Sequence, residues 1–162
     1  MCSTWVHASY LDASALVKLY YQEIGSKELK EYLHKNPTWH TTVFCFYEAL
    51  NALKWKWLNG HIVKEEYLNS TFEMAADVST RMNEIEDINF LNRDIFMTVQ
   101  KTAKTHDLDL SDAFQIESIK KGFFSGLAGE SKTILVTADR KLAIAAINEG
   151  IRAWNILVDP IP

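Results

Sequence analysis

The chain has 162 residues and a mass of 18.6 kDa, the size of one ordinary domain, and we expect a single domain over residues 1–162. With 48% hydrophobic and 23% charged residues, six glycines and three prolines, its composition excludes a collagen-like chain and argues against disorder. The formal net charge of −4 argues against a protein that holds nucleic acid mainly by neutralising phosphates, because such proteins are usually basic. The negative net charge does not exclude an enzyme that binds a phosphodiester through a metal ion.

The sequence also predicts a cytoplasmic protein without a membrane segment. Its longest apolar stretches, 43–47 and 142–147, are far shorter than the ~20 residues that span a bilayer. The N-terminus has no basic region followed by an apolar run, so no secretory signal is visible. Cys2 and Cys45 are too few for a disulfide framework and lack histidine partners at zinc-like spacing. These features indicate a reducing compartment.

Helical and strand patterns alternate along the whole chain. In chain order they are a strand at 5–11, helices at 14–22 and 26–34, a strand at 39–43, helices at 44–58 and 64–81, a weak strand at 84–90, helices at 92–105 and 111–121, a loop at 122–129, a strand at 133–136, a helix at 139–149 and a strand at 151–158. Ser14 is the predicted N-cap of the first helix, and Gly25 its predicted end. The alternation predicts an α/β fold, with a mostly parallel central sheet between two layers of helices.

Four acids lie where helices begin after predicted strands. Asp12 ends the first strand, and Asp139 follows the strand at 133–136. Glu48 lies in the first turns of the helix after the second strand, and Asp112 opens the helix that follows Leu110. Chemistry in open α/β sheets gathers at the carboxyl ends of the strands, so these four side chains are predicted to converge at one edge of the sheet.

Each acid also has an interpretation without chemistry. An Asp at a helix N-terminus stabilises the helix by capping and by its interaction with the macrodipole. The run from Asp109 to Asp112 resembles a capping box. Glu48 is flanked by apolar residues, where an ionised carboxylate is costly without a partner, and an ion pair with Lys54 or an arginine would supply one.

Four fragments together resemble the PIN-domain family, and within it the toxin ribonucleases of VapBC toxin–antitoxin modules. They are YLDASALVK at 10–18, YEA at 47–49, LSDA at 110–113 and VTADRKL at 136–142. Each fragment alone is weak, but their order, spacing and flanking hydrophobic pattern extend the resemblance over essentially the whole chain. The stretch 60–105 carries no motif and matches only in helical character.

The resemblance implies a metal-dependent ribonuclease whose metal-binding and catalytic carboxylates are Asp12, Glu48, Asp112 and Asp139. Ser14 and Thr137 would be polar neighbours that hold water, metal or phosphate. It further implies an RNA substrate, a homodimer, and a small antitoxin that occludes the acidic pocket.

The chemistry of the residues agrees with this interpretation. Clustered carboxylates repel one another, which raises their pKa values, and Mg²⁺ or Mn²⁺ relieves the repulsion because both ions prefer oxygen ligands. Lys18, Arg140 and Lys141 lie near the acids in sequence and are candidate phosphate contacts, with solvated surface charge as the alternative.

Two assignments stay open at this point. Asp107 and Asp109 lie close to Asp112 and compete for the third acidic position, although the following Ala113 and Ile116 favour Asp112. The run from Lys54 to Trp57 interleaves lysines with tryptophans, which suits contact with nucleic acid, whereas tryptophans more often fill a core or a subunit interface.

Two other functions compete with the ribonuclease. One is a catalytically silent PIN-like scaffold that binds a partner protein. The other is a phosphatase of the haloacid-dehalogenase kind with Asp12 as its nucleophile, but that mechanism needs a second aspartate two residues on, where this chain has Ser14.

Overall fold

The computed structural model describes residues 8–83, 88–89, 91–123, 125–129 and 132–162. In these ranges the helices are α1 (Ala13–Tyr20), α2 (Ser26–Lys35), α3 (Val43–Leu58), α4 (Lys64–Asn83), α5 (Arg93–His106), α6 (Leu110–Lys121), α7 (Ser125–Gly129) and α8 (Arg140–Asn148). The strands are β1 (Ala8–Leu11), β2 (Trp39–His40), β3 (Thr133–Thr137) and β4 (Arg152–Asn155).

The four strands form one parallel sheet in the order β2-β1-β3-β4. This confirms the predicted α/β fold with a parallel central sheet. The predicted first strand is confirmed from Ala8 onward, and its first three residues lie outside the described part of the chain. The weak strand predicted at 84–90 falls mostly outside it as well, and residues 88–89 are not in a strand.

Each face of the sheet is covered by helices. On one face Leu11, Val136 and Trp154 belong to a large apolar cluster that includes residues from α1 to α4. On the other face Tyr10 and Leu135 pack in a second cluster with α6 and α8. Because neighbouring strand residues point to opposite faces, this alternation produces the predicted three-layer arrangement.

Polar residues with extended backbone start the helices that follow the sheet. Asp12 caps α1 by accepting a hydrogen bond from Ala15 N–H at 2.8 Å, so the predicted cap at Ser14 is wrong and Ser14 lies inside the helix. Asp139 likewise caps α8. Thr42 caps α3 one residue before Val43, which shortens the predicted second strand. The N-termini of these helices therefore lie at the carboxyl ends of the strands.

Two further predictions differ from the structure. The predicted loop at 122–129 contains the short helix α7, whose two glycines and five-residue length leave no apolar period to detect. The last strand ends at Asn155, because the chain then turns and the Asp159 side chain accepts a hydrogen bond from Asn155 N–H at 2.9 Å. In the part of the chain that the structure describes, none of the helices combines the length and the apolar character needed to cross a bilayer.

Gly25 does not end α1 as predicted, because Tyr21 is the C-cap of that helix and Gly25 instead precedes α2. Its φ of +91° lies in the left-handed region, and an added Cβ would lie 2.7 Å from Cγ2 of Ile156. The glycine therefore lets the α1–α2 connection pass close to the chain that follows β4.

We expect Gly25→Ala to lower the free energy of unfolding by about 2–4 kcal/mol, through left-handed strain plus steric overlap. Gly60→Ala is the matched control, since Gly60 has a φ of +73° but no atom within 4 Å of an added Cβ. It should cost only about 1 kcal/mol in urea denaturation. Equal losses for the two variants would contradict the close approach to Ile156.

Candidate active site

Asp12 is the most deeply placed acid of the candidate site, with 4% of its surface exposed at the end of β1. Its Oδ1 accepts hydrogen bonds from Ala15 N–H at 2.8 Å and from the Ser14 hydroxyl at 2.9 Å. Its Oδ2 accepts a hydrogen bond from the Thr137 hydroxyl at 2.6 Å. These bonds join β1, α1 and β3 at one point and satisfy a carboxylate that would otherwise be costly to bury.

The two hydroxyls that hold Asp12 are themselves oriented by backbone. Ser14 Oγ accepts a hydrogen bond from Ala138 N–H at 2.8 Å, and Thr137 Oγ1 accepts one from Asp139 N–H at 2.8 Å. Since each hydroxyl has a single proton, both protons are directed at Asp12. Both residues therefore position Asp12 in the structure, and their predicted contact with substrate remains a prediction.

Burial raises the pKa of Asp12 from 3.8 to about 6, and the negative charge of Asp139 adds to this effect. The hydrogen bonds to the carboxylate act in the opposite direction, because they favour its ionised form. Asp12 is thus mainly ionised at neutral pH, and hydrogen bonds stabilise its charge, since the described residues give it no ion-pair partner.

Glu48 lies in the second turn of α3, half-buried, and accepts a hydrogen bond from the Ser111 hydroxyl at 2.6 Å. The same hydroxyl lies 2.7 Å from Oδ1 of Asp109, the N-cap of α6. One proton serves two carboxylates here, so the serine links α3 to the start of α6. Among the described residues Glu48 makes no ion pair with Lys54 or with an arginine, so that explanation for its apolar setting has no support.

Asp112 lies in the first turn of α6 and is half-buried. Burial first, and then the charges of Asp109 and of Asp12, Glu48 and Asp139, raise its pKa from 3.8 to about 7. The four predicted acids therefore act on one another electrostatically, and we call them the acid cluster. Asp109 is a fifth carboxylate beside it, which caps α6 by accepting a hydrogen bond from Asp112 N–H at 3.0 Å.

The buried Cys45 lies within electrostatic reach of the acid cluster. Burial raises the pKa of its thiol, and the charges of Asp12, Glu48 and Asp112 raise it further. The thiol donates a hydrogen bond to Oε1 of the buried Gln115, whose amide nitrogen has no hydrogen-bond partner in the described part of the chain. Cys45 is thus an uncharged, inert support.

The acid cluster is close enough for mutual repulsion, but its side chains are not drawn tightly together. Within the described ranges, no three histidine, cysteine, aspartate or glutamate side chains come together in a ready-made metal site. Asp139 is exposed and uses its Oδ1 to cap α8, accepting hydrogen bonds from Lys141 N–H and Leu142 N–H.

Comparisons with known proteins agree with this arrangement. The sequence profile of the PIN domain matches residues 9–148, a range that contains all four acids of the cluster. The chain belongs to the PIN domain family. Members are generally nucleases that use divalent metal, so membership indicates a hydrolase that acts on nucleic acid.

The fold of this PIN domain is also similar to that of PAE2754 from Pyrobaculum aerophilum, known from a crystal structure. The TM-score is 0.58 at 22% identity, over 91% of this chain and 84% of the other. This likeness concerns the fold alone. No curated protein matches the sequence with significance.

The predicted basic residues of the PIN domain have different surroundings. Lys18 is buried, and its Nζ lies 2.7 Å from Oε1 of Glu23, which argues against its predicted role as a phosphate contact. Lys141 pairs with Asp107 at 2.5 Å. Arg140 is exposed at the first position of α8, next to Asp139, and its contact with a substrate stays a prediction.

An apolar groove of about 270 Å³ lies beside the acid cluster, between the starts of α3, α5 and α6. Its walls include Phe44, Phe96 and Phe114, and Phe44 meets Phe114 edge to face at 5.0 Å. Ser111, the residue that donates to Glu48, also lines it. The groove and the acid cluster therefore share a border.

We expect Asp112→Asn to stabilise the metal-free protein at high pH only. Folded Asp112 keeps its proton up to about pH 7, whereas unfolded Asp112 loses it near pH 4, so the folded state loses stability as the pH rises between these values. Asparagine cannot ionise, so in EDTA the variant should melt at least about 2 °C above wild type at pH 8 and close to it at pH 4.

Asp94→Asn is the control, since it removes one exposed acid from the first turn of α5, outside the cluster. An Asp112→Asn shift of equal size at both pH values would contradict the electrostatic coupling.

Proposed function

We propose that this PIN domain is a Mg²⁺- or Mn²⁺-dependent endoribonuclease and the toxin of a type II toxin–antitoxin pair. The observation that supports this most strongly is the mutual effect of the acid cluster, in which each of the other three acids raises the pKa of Asp112. The described residues give these four carboxylates no ion-pair partner, and such a cluster destabilises a fold, so a functional reason for it is needed.

The donor set fits a hard divalent cation. The cluster contributes only carboxylate oxygens, which Mg²⁺ and Mn²⁺ prefer, and its residues would hold such an ion with water completing the coordination. When bound, the ion would offset the clustered negative charge, polarise the phosphoryl oxygen and make a bound water more acidic.

The residues of the chain divide the remaining work. Asp12, fixed by Ser14 and Thr137, provides an immobile negative charge at the centre of the site. Glu48 is held by Ser111 and orients the attacking water, whose proton it can accept. The water oxygen forms the new bond to phosphorus while the bond to the leaving nucleotide oxygen breaks. Arg140 binds a neighbouring phosphate of the RNA.

The groove beside the acid cluster supports the proposal of an antitoxin. It is almost wholly apolar and suits an amphipathic segment of a partner protein, whose basic residue would then reach the acids at its border.

A homodimer is the second proposed assembly. Leu68 and Phe72 lie one turn apart on α4 and are 51% and 76% exposed, which leaves an apolar strip for a second copy. The proposed location of the protein, alone and in both assemblies, is the cytoplasm.

One observation favours a second candidate, a catalytically silent PIN scaffold that binds a partner protein. The described residues hold no ready-made group of three metal ligands, so a site that never closes around a cation would give this geometry too. Cleavage assays separate the two candidates.

We expect the purified protein to cleave single-stranded RNA with added Mg²⁺ or Mn²⁺, and to stop when EDTA is added. Asp12→Asn and Asp139→Asn should each lower kcat by more than about a hundred-fold, because losing even an indirect partner of a metal site costs about ten- to a hundred-fold. Asp94→Asn, outside the cluster, should cleave as wild type does. Full activity in a homogeneous, folded Asp12→Asn, Asp139→Asn double variant would refute the proposal.

Ser111→Ala should lower kcat by about ten-fold with a smaller change in KM, because Glu48 loses the hydroxyl that orients it. Ser111→Thr, which keeps a hydroxyl, should recover most of the rate. Ser118→Ala on the same helix is the matched control, since its buried hydroxyl has no hydrogen-bond partner in the described part of the chain. A wild-type kcat for Ser111→Ala would remove Ser111 from the mechanism.

A further inference from the structure

The run from Lys54 to Trp57 divides into an inward and an outward pair. Lys56 lies 2.9 Å from Oε2 of Glu23 and sits over the Tyr21 ring at 5.2 Å. Trp57 stacks on Tyr67, with ring centroids 4.9 Å apart and an angle of 13° between the planes. These two side chains pack α3 against its neighbours, so this half of the run has a structural role.

Lys54 and Trp55 face solvent instead. Trp55 is 59% exposed, and it stacks on His61 with centroids 5.3 Å apart and planes at 22°. The stack engages one face of the indole, and more than half of the Trp55 surface stays exposed. Lys54 is exposed as well, and the described residues give it no ion-pair partner. A large exposed ring and a cation without an ion-pair partner among the described residues thus occupy consecutive positions of α3.

This outward pair follows Glu48 along α3. Trp55 comes seven residues after Glu48, which is two turns or about 10.5 Å along the axis and within about 20° of the same direction. No acid occurs on α3 after Glu48, and the exposed residue between them, Asn51, is an uncharged amide. Helix α3 therefore adds no negative charge between Glu48 and Trp55.

We propose that Trp55 and Lys54 form a second contact for single-stranded RNA, in which a base stacks on the indole and the ammonium binds an adjacent phosphate. This proposal rests on the proposed ribonuclease function and adds the form of the substrate to it, since only unpaired bases expose a face for stacking. Because the chain carries a net charge of −4, it cannot hold RNA by bulk charge and needs local contacts of this kind.

The test measures binding without cleavage. Anisotropy of a labelled single-stranded RNA is recorded with the full chain in an Asp12→Asn background, at several salt concentrations. Trp55→Ala should weaken binding by about ten- to a hundred-fold, and Trp55→Phe, which keeps a stacking ring, should recover most of it. Lys54→Ala should reduce the salt slope by about 0.7, the contribution of one phosphate on a single strand.

Phe123→Ala is the matched control, because it removes an aromatic ring that is 65% exposed and follows α6 in the chain, outside the surfaces proposed above, and it should leave binding unchanged. Circular dichroism checks that every variant is folded, and light scattering gives its oligomeric state. Unchanged binding in folded Trp55→Ala would overturn the proposal, as would a change in oligomeric state with no effect on RNA affinity, which would place Trp55 in a protein interface.

Cleavage assays distinguish a failure of this inference from a failure of the proposed function. If Trp55→Ala raises KM for a long single-stranded RNA but not for a dinucleotide, the second contact is supported. If wild type and Trp55→Ala cleave both substrates equally, the second contact fails and the ribonuclease stands. If wild type cleaves neither substrate, the ribonuclease fails, and the anisotropy series alone decides whether Trp55 binds RNA.

Discussion

The burial of one carboxylate, that of Asp12, sets the arrangement of the whole site. A charge at the end of β1 that is almost inaccessible to water must be met by hydrogen bonds, and the chain supplies them from α1 and β3 together. Thr137 reaches Asp12 across 125 residues of sequence, and its hydroxyl is in turn oriented by Asp139 N–H. The contacts that satisfy the first acid therefore also fix where the last acid of the cluster begins its helix.

The positions of the acids could be predicted because they follow from general rules. Parallel strands place their carboxyl ends at one edge, and Asp is favoured as a helix cap there, so sequence position alone predicts Asp12 and Asp139 as candidates. In the structure both are helix N-caps, and their functional role is part of the proposal. Capping does not exclude a functional role, because the backbone that turns from strand into helix also places the carboxylate at the edge of the sheet.

The supports of the acids were not predictable, because they depend on tertiary contacts. Ser111 meets Glu48 across 63 residues, and nothing in the local sequence marks that pair. Sequence position puts Lys18 near the acids, but in the structure its side chain pairs with Glu23, a tertiary contact that local sequence does not mark. Ser14 does not cap α1 because Asp12 already accepts the hydrogen bond from Ala15 N–H, and the Ser14 hydroxyl donates to Asp12 instead.

The central claim is that four carboxylates, distant in sequence, share one divalent cation. Anomalous diffraction from crystals soaked in Mn²⁺ tests it most directly, because the anomalous signal of manganese locates the ion. The account predicts a manganese peak bounded by carboxylate oxygens of Asp12 and of at least one other acid of the cluster. Manganese bound only elsewhere on the protein, with the cluster empty at saturating concentration, would contradict it.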